Sequence, residues 1–218
     1  MRSREEILQK KWQRLLQHRR FFHLIPFIDF VLVSGSMALG TAREESDFDV
    51  IVGARAGRIF TVRFFCVGVF ELLGLRRKRA DYKGKIEDKL CFNHFVGPIG
   101  YTLAPPYNSY WKALYCNLVP IYGDRKTIEI FLKANKWAGQ IGDINDSRRL
   151  EKKRGIVGAF LEGIFGGRLG NWLESVLKRY QIKRIVKYSG DGLLGNMPRL
   201  LYTDDVIEFH TMEKRLEL

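Results

Sequence analysis

The chain has 218 residues, 46% of them hydrophobic, with 37 Lys and Arg against 24 Asp and Glu and a net charge of +13. One good core and a small second one fit that length, while the positive surplus attracts polyanions such as nucleoside triphosphates, nucleic acid or an anionic membrane face and is equally served by solubility alone. Cys66, Cys91 and Cys116 are odd in number and far apart, which excludes a CxxC metal knuckle and a disulfide framework and leads us to expect a reducing, cytoplasmic setting.

Residues 4–22 repeat Ile7, Leu8, Trp12, Leu15 and Leu16 at helical spacing, with Lys and Arg opposite, and predict an amphipathic helix with a solvated basic face. No signal peptide is expected, because the first twenty residues are charged throughout. Phe27–Ser34 reads as a buried strand, GSMALG as a turn into a short helix, TAREES as a polar loop and DFDVIV as a second strand. A helix is expected over Ile59–Leu75, ending in the basic RRKRAD turn, and a third strand over Lys89–Val96. The two greasiest segments, Ile59–Leu75 and Ile156–Leu177, are broken by Arg63 and Glu71 and by Glu162, Arg168 and Glu174, so no integral membrane span is expected; peripheral contact stays open.

Prolines 98, 105 and 106 mark a change, and beyond them helices are expected over Ser109–Leu118, Thr127–Trp137, Arg149–Phe165 and Leu169–Val186. The expected fold class is α+β: residues 1–105 forming a small mixed sheet with flanking helices, and residues 106–218 forming a mostly helical second domain. Gly163, Gly166, Gly167 and Gly170 are read as helix ends and close-packing positions.

The chemistry concentrates in Phe30–Val52. On a strand, residues i and i+2 share a face, so Asp47 and Asp49 project together while Phe48 turns to the core. Two converging carboxylates demand a cation, and they are hard oxygen ligands suited to Mg2+. Upstream, Gly35 allows close approach of the backbone to a phosphate, and Ser36 adds a hydroxyl at the same turn.

Gly35-Ser36 after a strand, a short spacer containing LGTAR, then SDFDVIV resembles the signature of the nucleotidyltransferase-fold superfamily, the DNA polymerase β-like group with its minimal and antibiotic nucleotidyltransferases. The resemblance implies that Gly35 and Ser36 bind the triphosphate, that Asp47 and Asp49 ligate two Mg2+ ions, and that a nucleoside monophosphate passes from an NTP to a hydroxyl acceptor with release of pyrophosphate. It also implies a third acid on a later strand. Asn93 aligns there as a candidate site-lining member of the catalytic set with Asp47 and Asp49, or else as a structural amide; it cannot serve as a base and is a weaker metal ligand than Asp. Glu87 and Asp88 lie just upstream, and a shifted register would offer one of them instead. The alternative to transfer is therefore a nucleotide- or RNA-binding module on the same fold; a basic helical partner of another protein is a third reading. The acceptor, whether small molecule, protein hydroxyl or RNA end, is not specified.

Arg43 and Ser46, in the loop between the two halves of the motif, are candidate phosphate or metal-water contacts. Lys133, Lys136 and the cluster over 148–154 are candidate cations for a triphosphate, and the basic surface at large for RNA. His94 and His210 are expected to be structural. Tyr101, Tyr107 and Tyr110 are expected to pack a junction rather than stack on a base.

Overall fold

The computed structural model describes residues 3–78, 86–105, 107–139, 142–153, 155–190 and 199–210. Arg79–Asp81 of the basic turn, Pro106 and Arg154 lie outside these residues, as does the side chain of His210. The architecture is α+β, as expected, with seven α-helices among the described residues around one mixed seven-stranded sheet.

Helix α1 (Arg4–His18) starts at a reciprocal cap: the Ser3 hydroxyl accepts from the Glu6 N–H while the Glu6 carboxylate accepts from the Ser3 N–H. It tightens into a 3-10 turn over Arg19–Leu24, so the expected helix to residue 22 changes its winding rather than its place. Strand β1 (Ile28–Val33), the short helix α2 (Gly35–Ala38), strand β2 (Phe48–Ala54), helix α3 (Ile59–Leu72) and strand β3 (Leu90–Val96) follow in the expected order. Then come α4 (Ser109–Cys116), β4 (Val119–Gly123), α5 (Arg125–Ala134), β5 (Leu150–Glu151), α6 (Ile156–Phe165), α7 (Arg168–Gly190), β6 (Arg199–Tyr202) and β7 (Val206–His210).

The strands lie in the order β5-β4-β1-β2-β3-β7-β6. β1 is antiparallel to β2 and β4, and β2 is parallel to β3 through the α3 crossover. Residues beyond Pro105 thus supply four strands of the sheet as well as four helices, and sheet-forming residues stand on both sides of the boundary read from the prolines. Leu150 and Glu151, expected at the start of a helix, instead pair with Tyr122 and Gly123, and α6 begins only at Ile156.

Alternation along β1 and β2 builds two cores. Val31, Val33, Phe48, Val50 and Val52 face the layer of α1, α3 and α7. Phe30, Leu32 and Ile51 face α4 and α5, where Trp111, Tyr115 and Phe131 close the second core. Tyr101 is buried there and Tyr110 stands edge-on to Trp111. Tyr107 stacks on Trp137 with ring centroids 4.3 Å apart. All three tyrosines thus have aromatic partners at the second core.

The basic cluster after Arg148 is largely engaged in structure. Arg148 lies 4.2 Å over the Trp12 ring and donates to Asp146, Arg149 donates to the Gly123 carbonyl and Glu151, and Lys152 pairs with Asp29 at 3.2 Å. The hydrogen bonds from Arg148 hold the Asp146 carboxyl below its ordinary value of 3.8, against the opposing effect of burial. A depressed carboxylate contributes stability that is complete above the unfolded value and is lost as pH falls through the folded one. Asp146→Asn is expected to lower the urea midpoint at neutral pH, with the gap to the wild type closing as pH falls below 3.8 and through the depressed folded value; an equal gap in neutral and acid solution would contradict this ion pair.

Candidate functional site: paired aspartates beside a glycine turn

Antiparallel pairing of β1 with β2 carries the chain out at Ser34 and back at Asp49, where the Ser34 N–H donates to the Asp49 carbonyl at 2.9 Å. Gly35 follows with φ of +64°, a conformation that side-chain-bearing residues adopt at a cost of about 1–2 kcal/mol. A Cβ on Gly35 would sit 2.3 Å from Asp49 Oδ2. The glycine is therefore required twice, for the turn and for contact between the turn and the carboxylate.

Asp47 and Asp49 converge, as the two-residue spacing demands. Parallel pairing sets Cys91 directly opposite Asp49. One oxygen from each aspartate and the Cys91 Sγ all lie within 4.8 Å of one another. A register shift between Asp49 and Ile51 gives β3 an extra residue, and Asn93, two residues beyond Cys91 on the same face, donates its amide to Asp49 Oδ1 at 3.2 Å. Asn93 Oδ1 is buried without a partner among the described residues. Burial and the two nearby carboxylates push the Cys91 thiol well above its ordinary range.

Among the described residues, Arg77 places a cation on the aspartate pair. The chain leaving α3 runs alongside the start of β3: the Leu90 N–H donates to the Leu75 carbonyl at 2.7 Å, and the Arg77 N–H to the Leu90 carbonyl at 2.9 Å. That places the Arg77 guanidinium against Asp47 Oδ2 and 3.9 Å from the Cys91 sulfur. The pair is largely shielded, with side chains 17% and 13% exposed, which strengthens it relative to a surface ion pair. A divalent ion at Asp47 would compete with this guanidinium. Arg77→Gln is expected to tighten Mn2+ or Mg2+ binding to the nucleotide-free protein by about tenfold, the removal of roughly 1.4 kcal/mol of competition. Calorimetric titration measures it, and weaker ion binding in the variant would contradict the competition.

The loop before Asp47 is fastened from below. The Ser46 hydroxyl accepts from the Arg43 N–H at 2.9 Å and closes the turn, while the Arg43 side chain is exposed. The Ser46 carbonyl accepts from Lys11 Nζ at 2.7 Å and from the Asp88 N–H at 3.3 Å. Lys11 is buried on α1, and it also holds Asp88 at 2.9 Å; burial lowers its pKa. Arg14 reaches both Asp88 and Glu87. Neither upstream acid belongs to the aspartate–cysteine group, and both tie α1 to the loop.

Gly35, Asp47, Asp49 and Asn93 are thus brought together, Ser36 follows Gly35 in the turn, and Arg43 and Ser46 frame the loop. Lys133 pairs with Glu129 at 2.6 Å on α5, and Lys136 is exposed. Lys152 and Arg149 gather at the Asp29–Gly123 end of the sheet, roughly 13 Å of strand from Ser34. His94 is buried in β3, opposite Glu208 of β7. Sequence reasoning missed Cys91, Arg77 and Lys11. Cys91 was legible as the i−2 neighbour of Asn93, and Lys11 as a cation three residues from Leu8 and four from Leu15, on the apolar side of its helix.

Comparison with known proteins finds no matching family model, no similar curated protein and no similar solved structure.

Proposed function

We propose that the chain is an Mg2+-dependent nucleotidyltransferase that moves a nucleoside monophosphate from an NTP to a hydroxyl acceptor. The observation that carries this reading is the contact between the Gly35 turn and the Asp49 carboxylate, which puts an anion-accepting backbone and a cation-accepting carboxylate pair side by side. The donor set fits a divalent ion: two carboxylate oxygens converge, and the unpartnered Asn93 Oδ1 lies beside them. Asp47 and Asp49 would hold two Mg2+ ions, which supply charge neutralisation on the triphosphate and on departing pyrophosphate.

The remaining work falls to the chain's own groups. Gly35 lets the backbone of the turn come close to phosphate oxygens, and the Ser36 hydroxyl adds a donor. Asn93 fixes the rotamer of Asp49 through its amide. Lys11 and Asp88 hold the loop that presents Asp47.

One observation favours a second reading. The group that gathers at the site contains two carboxylates and a thiol, with an amide, Asn93, on Asp49 and no third acid in the group to accept the acceptor's proton among the described residues. On that reading the chain binds nucleotide or RNA without turnover. Incubation with each α-labelled NTP, Mg2+ and candidate acceptors, scored for label transfer, separates the two. Transfer supports the enzyme; tight metal-dependent NTP binding with no transfer supports the binding module; and absence of both overturns the site.

A further inference from the structure

The α6–α7 hairpin presents an outward surface that the proposed site does not use. Ile156, Phe160 and Trp172 are 90%, 65% and 61% exposed, and Val157, Ile164 and Leu169 are about half exposed. Ile156, Phe160 and Ile164 recur every four residues and form one stripe along α6. Folding gains nothing from placing side chains of this size in water.

The charges along the hairpin are mostly positive, with Lys178 of α7 paired to Asp204 at 2.6 Å. Between Ile156 and Lys187 the chain has two carboxylates, Glu162 and Glu174. Glu162 turns inward to the Phe27 N–H at 2.9 Å and to Arg55, while Glu174 caps α3 through the Phe60 and Thr61 N–H groups at 2.8 and 2.9 Å. The same two acids that break the apolar run in the sequence are thus withdrawn from its outer face. Arg168, Arg179, Lys183 and Lys187 are exposed along α7. At the foot of α6 a cleft of about 450 Å³ is lined by Arg55, Arg58, Glu162, Gly163 and Gly166; Arg55 is paired there with Glu162 and Arg58 donates to Asn171 Oδ1, so the cleft adds no net cationic site to the α7 row.

We propose that this hairpin docks the protein on an anionic lipid surface. Ile156, Phe160 and Trp172 enter the boundary between headgroups and acyl chains, and the exposed α7 cations meet headgroup phosphates. No helix among the described residues is long and apolar enough to cross a membrane, so the hairpin lies on the surface. A second copy fits this face poorly, since its own α7 cations would be set against those of the first, on chains that each carry +13. Nucleic acid would use the cations and leave the aliphatic stripe in water.

The test is flotation of the full chain with vesicles, in chelator and without nucleotide, so that its outcome is independent of nucleotidyl transfer. Vesicles containing phosphatidylglycerol are expected to take up the protein about tenfold or more better than pure phosphatidylcholine, with the gain shrinking as salt rises. Ile156→Asp alone, and Phe160→Asp with Trp172→Asp, are each expected to cut uptake about tenfold or more with far-ultraviolet circular dichroism and the thermal melt unchanged. Arg179→Glu with Lys183→Glu should remove the preference for anionic lipid, and Phe160→Trp should retain binding. Failure to float with anionic vesicles, or uptake indifferent to both sets of variants, overturns the proposal. A concentration-dependent dimer abolished by Ile156→Asp, without vesicle uptake, assigns the face to a second copy and overturns it too. Salt-labile RNA binding without vesicle uptake does the same in favour of nucleic acid.

Discussion

Asp49→Asn is expected to lower nucleotidyl transfer by about a thousandfold or more, about 4 kcal/mol of transition-state stabilisation, while leaving the fold in place. The substitution keeps the shape of the side chain, and its carbonyl oxygen still accepts from the Asn93 amide, so the bond that orients position 49 survives. What disappears is one negative charge and one hard oxygen ligand from a group of three donors within 4.8 Å. Loss of that charge also relieves repulsion between neighbouring carboxylates, so thermal stability should be equal or slightly higher. Thermal melts and label-transfer rates measured on one preparation separate the two effects. Undiminished transfer would remove Asp49 from the chemistry, and if the chain only binds nucleotide, the same variant should lose its metal-dependent uptake.

Gly35→Ala has the second largest expected effect, and Gly40→Ala is its internal control. Both glycines have positive φ, +64° and +68°, so each alanine carries a similar backbone penalty of about 1–2 kcal/mol. They differ in what the added methyl meets: nothing lies within 4 Å at Gly40, whereas at Gly35 the Asp49 carboxylate is in the way. Gly40→Ala should therefore lower stability modestly and leave nucleotide affinity alone. Gly35→Ala should cost further stability and lower triphosphate affinity about tenfold or more, as the carboxylate and the turn are forced apart. Equal effects of the two substitutions on affinity would mean that the turn–carboxylate contact has no part in binding.

Much of this arrangement was legible because it is local. Strand β1, the glycine turn and strand β2 are close in the chain, and the period of two at Asp47–Phe48–Asp49 assigns each side chain its face without reference to anything distant. Strand β4 was hidden by Pro120, which reads as a strand breaker. It is tolerated because β5 pairs with Tyr122 and Gly123, and among the described residues no strand pairs with Pro120 on that outer side. Strands β6 and β7 are only four and five residues long, and Glu208 interrupts the apolar residues of β7, which makes each a short signal. The site shows the same division. The paired aspartates follow from spacing, but Arg77 reaches Asp47 across 30 positions and Lys11 reaches Asp88 across 77, and separations of that size have no sequence period.

The place of β7 in the sheet bears on how the molecule is made. During synthesis, the strand that holds Cys91 and Asn93 emerges long before residues 206–210, which flank it through Phe95–Ile207 and Val96–Val206. Until those residues leave the ribosome, β3 is a bare apolar edge, the kind of surface on which another nascent chain can template itself. Chaperone demand should therefore peak late in translation, and premature release of the polypeptide should favour aggregates over a folded fragment.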